Sequence, residues 1–354
     1  MSRRTVLLAT LLIFSGLPAA HAVEVAGLYD VNLPVASQQV SDRTKAARRG
    51  LEQVIQRISG SSEALLNPNV QAALQNPQRY LQEFSYFVDD EAPRQDAQRL
   101  RLRFDSALVN GLLREAKQPI WGSNRPNLAV WLAEEHAGNR AIVSADDQSR
   151  WQQAMRQAAE DVGLPLLLPL MDLQDESSIS VMDVWGLFRD RLEAASQRYR
   201  AEAVLGGRVY QSAGQWQGRW LLIFGDQPVS FSTSGAERQS VVNGAFDRVA
   251  KMFASHYAID TSRQTDSQLK MSVEGVDSLA DYASLISYLE GFAVVRHVAV
   301  TRVEGERLTL VLTTESDWQT LKELIALDRY LQPLPDAVTE FEDGLMLMPY
   351  IWRP

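Results

Sequence analysis

The stretch MDLQDE, from Met171 to Glu176, is where closely spaced side chains of this sequence could do chemistry. Asp172, Asp175 and Glu176 follow an apolar run that predicts a strand, and open α/β sheets place ligand sites beyond the carboxyl ends of their strands. Two of these carboxylates could also cleave glycosidic bonds, but a catalytic pair is recognised by the distance between its two carboxyl groups in the fold, which the sequence does not give. We expect these three residues to form the ligand loop if a small molecule binds, and an ordinary solvated loop otherwise.

A second group of residues is cationic. Arg43, Lys45, Arg48 and Arg49 lie on the polar side of a predicted amphipathic helix that ends before Gly60. Such a face is either solvated or a docking surface for an anionic partner. We therefore predict that, if the protein binds another protein, these four side chains take part.

Other catalytic signatures are absent from the sequence. There is no cysteine, no G-x-S-x-G elbow and no S-x-x-K motif. His136, His256 and His297 fall in three different predicted elements, whereas a zinc site needs ligands at close spacing. We accordingly expect no enzyme activity, no metal and no cofactor.

The first 22 residues predict a secretory signal peptide. Arg3 and Arg4 supply the positive start, an apolar run follows, and Ala20-His21-Ala22 is a small-x-small cleavage site. The apolar run is shorter than the roughly 20 residues that span a bilayer. Because no cysteine can carry a lipid at the cleavage site, we expect a free periplasmic protein that starts at Val23.

The net charge bears on the kind of partner. The full chain has a formal net charge of −9, which becomes −11 when Arg3 and Arg4 are removed with the signal. Such a chain repels phosphate backbones, so we do not expect nucleic acid as a partner. We therefore predict that the partner is another protein of the cell envelope, whose identity the sequence does not give.

The glycine-rich stretch from Arg198 to Gly225 raises the alternative of a phosphate-binding loop. Phosphate loops place their glycines between a strand and a helix N-terminus. Here Trp216 and Trp220 alternate with polar residues at strand spacing, and the glycines lead from one predicted strand into the next. The pattern favours a sheet whose glycines make room for large side chains.

Periodicity and turn residues divide the rest of the chain into three units. We predict a small α+β domain over residues 23–118, a central α/β domain with a mixed sheet over 127–258, and a ferredoxin-like domain over 268–354. The central unit is expected to contain one long helix from about Val181 to Tyr199. The third unit is expected to contain a helix that buries Leu279, Tyr282, Ile286 and Leu289.

Several motifs carry a resemblance to a known family. The runs MDLQDE, DVWGLF, ASQRYRAEAVLGGRVYQ and WQGRW, with the N-terminal DRTKAARRGLEQVIQRISG, resemble the bacterial family known as domain of unknown function 2066. In layout, the helix followed by RYRAEAVLGG and a hairpin is also similar to periplasmic accessory proteins. The resemblance implies an exported protein without known catalytic residues. We expect a non-enzymatic accessory or interaction protein, with a small-ligand-binding protein or a cell-wall hydrolase as alternatives.

Overall fold

The computed structural model describes residues 23–89, 98–225, 227–258, 267–292, 294–314, 318–327, 330–334, 340–342 and 345–353. The protein is a mixed α/β structure in which three larger sheets follow one another along the chain. This confirms the predicted multi-domain α+β and α/β fold class. The predicted signal peptide, residues 1–22, lies outside the described residues.

The N-terminal unit is a three-stranded antiparallel sheet covered on one face by a long helix. Its strand order is β2-β4-β3, and its elements are β1 (Val23–Glu24), β2 (Asp30–Pro34), α1 (Val40–Ser59), α2 (Pro68–Ala73), β3 (Leu81–Val88), β4 (Gln98–Phe104) and α3 (Ser106–Glu115). Gly60 ends α1 in the left-handed conformation, and Asp105 caps α3 by accepting a bond from the Leu108 amide. Leu100 and Leu102 of β4 are fully buried, so the face of the sheet that they share is the core face.

The central unit is a mixed sheet with helices on both faces. Its elements are β5 (Asn124–Arg125), β6 (Leu128–His136), β7 (Asn139–Ile142), α4 (Arg150–Val162), β8 (Leu166–Leu167), α5 (Leu173–Ser178), α6 (Val181–Gly186), α7 (Arg189–Ser196), β9 (Ala203–Ser212), β10 (Gln215–Ile223), β11 (Val229–Gly235) and α8 (Arg238–Tyr257). The strand order is β11-β10-β9-β6-β7, with β8 also on β6. Strand β6 runs parallel to β9 and β8, whereas the other neighbours are antiparallel.

The prediction of one helix from Val181 to Tyr199 is wrong, because the segment breaks at Leu187. Leu187 adopts a left-handed conformation with φ 54°, which ends α6 and reverses the chain before α7. The ring of Phe188 then folds over Gly186, where a β-carbon would lie 2.7 Å from the ring. The break itself lies at Leu187, and the absence of a side chain at Gly186 leaves room for the Phe188 ring beside it.

The glycines of the stretch from Arg198 to Gly225 lie within or beside sheet strands, as the alternation predicts. Trp216 and Trp220 face the core with α4 and α8, and Trp220 is fully buried. A β-carbon at Gly207 would lie 2.4 Å from the Trp220 ring, and one at Gly218 would lie 2.7 Å from the Trp220 Nε1. Glycine is required here because a tryptophan ring occupies the space above the neighbouring strands.

The C-terminal unit is a second mixed sheet. Its elements are β12 (Ser267–Glu274), α9 (Leu279–Gly291), β13 (Val295–Glu304), β14 (Arg307–Thr314), α10 (Trp318–Ala326), β15 (Leu331–Pro333), β16 (Glu340–Glu342) and β17 (Leu345–Trp352). The order β13-β14-β12-β17 is the strand order of a ferredoxin-like sheet, but in that fold the last strand is antiparallel to the first. Strand β17 runs parallel to β12, because the chain first passes along β15 and β16 and then turns back.

The predicted inward face of α9 is only partly correct. Leu289 is fully buried, together with Leu285, and Ile286 is half-buried. Leu279, however, is 83% exposed and Tyr282 is 36% exposed. Ser278 caps the first turn of α9, which lies at the surface, so helical spacing alone extends the buried stripe one turn too far.

A buried arginine connects the first two units. Arg125 has no exposed surface, and its guanidinium lies 4.0 Å from the centre of the Trp121 ring. It donates hydrogen bonds to the backbone carbonyls of Arg57, Trp121, Gly122, Val162 and Gly163. Burial, with a smaller contribution from Arg57, lowers the pKa of Arg125 to about 9. The carbonyls at the ends of α1 and α4 therefore take the place of a counter-ion.

None of the helices within the described ranges combines the length and apolarity needed to cross a bilayer.

Candidate functional site

The predicted cationic residues of α1 line an open groove. The groove has a volume of about 510 Å³ and lies between α1 and the chain that leaves β2. Pro34, Val35 and Ala36 form one wall, and the other wall is made by Asp42, Lys45, Arg48 and Arg49. Three of the four predicted residues are thus brought together on one surface with an apolar wall opposite.

The cations of the groove make only weak contacts within the chain. Lys45 Nζ lies 3.9 Å from an Asp42 carboxylate oxygen, and its side chain is 77% exposed. Arg48 forms an i,i+4 pair with Glu52, and Arg49 donates to the Pro34 carbonyl at 3.4 Å. Exposed pairs of this kind contribute about 0–1 kcal/mol, so an anion from another molecule competes with them at little cost.

Arg43 lies apart from the groove. Its guanidinium packs 4.7 Å from the centre of the Phe84 ring, on β3. Since residues 43 and 48 are about 140° apart around a helix with 3.6 residues per turn, they cannot share one surface. The predicted set of four therefore separates into a groove of three residues and a stacked arginine.

A row of arginines on β4 is not among the site residues predicted from the sequence. Arg99, Arg101 and Arg103 alternate with the buried Leu100 and Leu102, so they lie together on the outer face of the N-terminal sheet. The alternation in QRLRLRF is the signal that would have found them, because residues two apart on a strand share a face. Asp30 and Glu83 pair with Arg103, and Asp89 lies 3.9 Å from Arg99, so this face carries balanced charge.

The predicted acidic loop forms an internal network. Asp172 is the N-cap of α5 and accepts bonds from the amides of Gln174 and Asp175. Arg198 makes two bonds to the Asp172 carboxylate, at 2.6 and 2.9 Å, and a third to Asp175 at 2.9 Å. Both carboxylates therefore bind one guanidinium that comes from 23 to 26 residues later in the chain.

Asp175 is fully buried at the centre of this network. Its second oxygen accepts bonds from the Met171 amide at 2.9 Å and from the Tyr199 hydroxyl at 2.5 Å. Burial and the bond to Asp175 raise the pKa of Tyr199 to about 12. The bonds from Arg198 hold the pKa of Asp172 far below its usual range, so Asp172 and Arg198 both stay ionised at neutral pH.

This network joins α5 to the end of α7 and leaves few free acceptors. The oxygens of Asp172 and Asp175 already receive bonds from backbone amides, Arg198 and Tyr199. Glu176 is exposed and lies outside the network. The arrangement is suited to fixing the helices on this face of the sheet, and only Glu176 is free to meet a ligand.

The histidines are dispersed in the fold. His136 ends β6, His256 lies on α8 and His297 lies on β13. His256 is 3.5 Å from a Glu323 carboxylate oxygen and packs against aromatic rings. Within the part of the chain that the structure describes, no three histidine or acidic side chains are grouped to hold a metal ion.

No curated protein matches this chain. Two crystal structures of homoserine dehydrogenase from S. aureus, at pH 6.5 and pH 7.0, each align with 13% identity over 51% of this chain and 50% of theirs, with a TM-score of 0.14. This chain therefore spans about half the length of those structures, and a similarity of this size carries no argument about fold or activity.

One family model matches the N-terminal unit. Residues 22–122 match a family described as a domain of unknown function, DUF8605, and this range contains α1 and its groove. The resemblance to domain of unknown function 2066, suggested by MDLQDE, DVWGLF and the neighbouring runs, is therefore wrong. The finding that replaces it is a match of residues 22–122 to a different domain of unknown function.

Proposed function

We propose that this protein is an exported, non-enzymatic accessory protein of the bacterial envelope, and that the groove on α1 binds an acidic segment of another envelope protein. The observation that carries the proposal is the groove itself, where Lys45, Arg48 and Arg49 face the apolar wall of Pro34, Val35 and Ala36. Cations beside an apolar wall suit an extended segment with both acidic and apolar residues.

The charge distribution supports this choice of partner. Residues 23–122 contain 12 basic and 12 acidic side chains, so the acidic excess of the chain lies outside the unit that forms the groove. An acidic segment is thus attracted to the groove without strong repulsion from its immediate surroundings. Export is supported by the positive start, apolar run and small-x-small site in residues 1–22.

The alternatives have weaker support. A small-ligand protein acting through Asp172, Asp175 and Glu176 would have to displace Arg198 and Tyr199 from the first two carboxylates. A hydrolase that used the same pair would need an acid and a base, whereas Arg198 keeps Asp172 ionised. The acidic network therefore favours a structural role for these residues over a catalytic one.

Export and binding are tested in the same bacterial host. The full chain is expressed with its own N-terminus, and intact mass should show a protein that starts at Val23 in the periplasmic fraction. A photo-crosslinking residue at Ala36, which lines the groove, should then give a discrete adduct with a partner. In the variant Lys45→Gln/Arg48→Gln, two exposed pairs of about 0.5–1 kcal/mol each are lost, so the adduct should decrease about 5- to 30-fold.

The matched control is Arg79→Gln/Lys117→Gln. It removes the same charge from the same unit at two exposed positions that do not line the groove. Its adduct should stay at the level of the parent protein. Equal adducts in both double variants would contradict binding through the groove, and a retained Met1 would contradict export.

A further inference from the structure

Strand β11 is a free edge of the central sheet. Within the described ranges it pairs with β10 alone, over seven residues with the sequence VSFSTSG. Native edge strands are usually blunted by charges, prolines or short length, because their unpaired amides and carbonyls template further pairing. This strand has no charge and no proline in its own sequence, so its outer edge is open to a further strand.

The hairpin register shows which backbone groups of β11 point outward. Strands β9 and β10 are joined by the two-residue turn Ala213-Gly214, both with positive φ, so the closing residues Ser212 and Gln215 form a hydrogen-bonded pair. Alternation along β10 then directs the backbone of Trp220 toward Phe231 of β11. It follows that Ser230, Ser232 and Ser234 direct their amides and carbonyls to the open side.

Two arginines lie beside this edge, one on each face of the sheet. Arg219 of β10 is directly opposite Ser232 and is exposed on the outer face. Arg248 of α8 is exposed on the helix face, with its guanidinium 5.6 Å from the centre of the Phe231 ring. Within the described residues neither arginine forms an ion pair, so both charges are available to another molecule.

We propose that β11 binds an extended acidic segment of a partner protein as an added strand. Consecutive residues of a strand point to opposite faces, so two neighbouring acidic residues of the segment reach Arg219 on one face and Arg248 on the other. The outward backbone of Ser230, Ser232 and Ser234 supplies the main-chain bonds, as in other cases of strand addition. This surface is separate from the groove on α1 and stands whether or not that groove binds.

The same arginines disfavour a second copy of this chain as the occupant. Pairing of two β11 edges would bring both copies of Arg219 and Arg248 to one seam. Like charges placed across an interface oppose association, so the charges at the edge select an acidic partner over self-pairing.

The test uses fluorescein-labelled eight-residue peptides and the full chain, with binding followed by fluorescence anisotropy. One peptide is Thr-Val-Thr-Glu-Glu-Val-Thr-Val, and its match has lysine in place of both glutamates. The glutamate peptide should bind and the lysine peptide should not. Ser232→Pro should weaken binding about tenfold or more, because proline removes the outward amide of an edge strand without touching the bonds to β10. Ser232→Thr keeps the amide and should bind as the parent does.

A charge swap gives a readout that leaves the backbone unchanged. The variant Arg219→Glu/Arg248→Glu should lose the glutamate peptide and bind the lysine peptide instead. Hydrogen exchange of the β10 amides shows that each variant retains the sheet. The proposal is overturned if the glutamate peptide does not bind, if Ser232→Pro binds it as the parent does, or if the charge swap leaves the preference unchanged. It is also overturned if the parent forms a dimer that Ser232→Pro abolishes.

Discussion

Replacement of Gly207 by alanine tests directly why this sequence places glycines in its central sheet. A β-carbon at this position would lie 2.4 Å from Cζ3 and 2.6 Å from Cε3 of Trp220, and 2.9 Å from a methyl of Leu132. Trp220 has no exposed surface, and its Nε1 donates to the Thr233 hydroxyl at 2.8 Å. The ring therefore cannot move away from the new methyl without losing this bond.

The expected cost follows from these contacts. Overpacking a core typically costs about 1–3 kcal/mol, and loss of the indole bond adds about 1 kcal/mol. Alanine also lowers the conformational entropy of the unfolded chain, which stabilises the folded state by about 0.4–1 kcal/mol. The free energy of unfolding should therefore fall by about 2 kcal/mol, measured from hydrogen exchange of the β9 and β10 amides and from urea midpoints.

Two further variants make the result specific. Gly111→Ala, within α3, meets no atom within 4 Å, so it should stabilise the protein by about 0.5–1 kcal/mol. Gly207→Ala combined with Trp220→Leu should cost less than the sum of the single changes, because the smaller side chain leaves room for the methyl. A neutral Gly207→Ala, or additive costs in the double variant, would refute the packing explanation.

Three other predictions follow from buried groups. Burial raises the pKa of Glu202 to about 7, so between about pH 4.5 and pH 7 the folded state binds more protons than the unfolded state. The free energy of unfolding should therefore fall as the pH rises through this range. Glu202→Gln should flatten this dependence in urea titrations. Arg125→Met leaves five carbonyls without their donor and should cost on the order of 3 kcal/mol or more, whereas Arg79→Met at the surface should cost less than about 0.5 kcal/mol. Trp220→Ala should cost about 3–5 kcal/mol by the same assay, and Gln217→Ala close to nothing.

The elements that the sequence predicts well are those with a local signal. Helix α1 shows apolar spacing and ends at Gly60, and Asp105, a residue type that commonly caps helices, stands directly before α3. Strand β10 alternates between buried and more exposed residues from Trp216 to Trp220, and this pattern distinguishes it from a phosphate loop. These features depend on residues close together in the chain, so periodicity and capping rules suffice to find them.

The features that the sequence does not predict depend on distant contacts. The break at Leu187 depends on a left-handed residue that helical spacing does not reveal. Asp172 and Asp175 look like a ligand loop until the fold brings Arg198 to both carboxylates. The groove on α1 likewise needs the chain after β2 as its second wall, so helix periodicity predicts its cations but not its shape.

The position of Arg125 has a consequence for the cooperativity of unfolding. Its guanidinium is bonded at once to the ends of α1 and α4 and to the connecting chain at Trp121. If α1 or α4 unfolds alone, the Arg125 guanidinium loses some of its carbonyl acceptors while the helix that stays folded still buries it. Such a state has a high free energy because a buried charge is left without partners. Partial unfolding of one unit is therefore penalised by the other. The first two sheets should melt together in a single calorimetric transition, and a chain cut between them should leave neither half with its native stability.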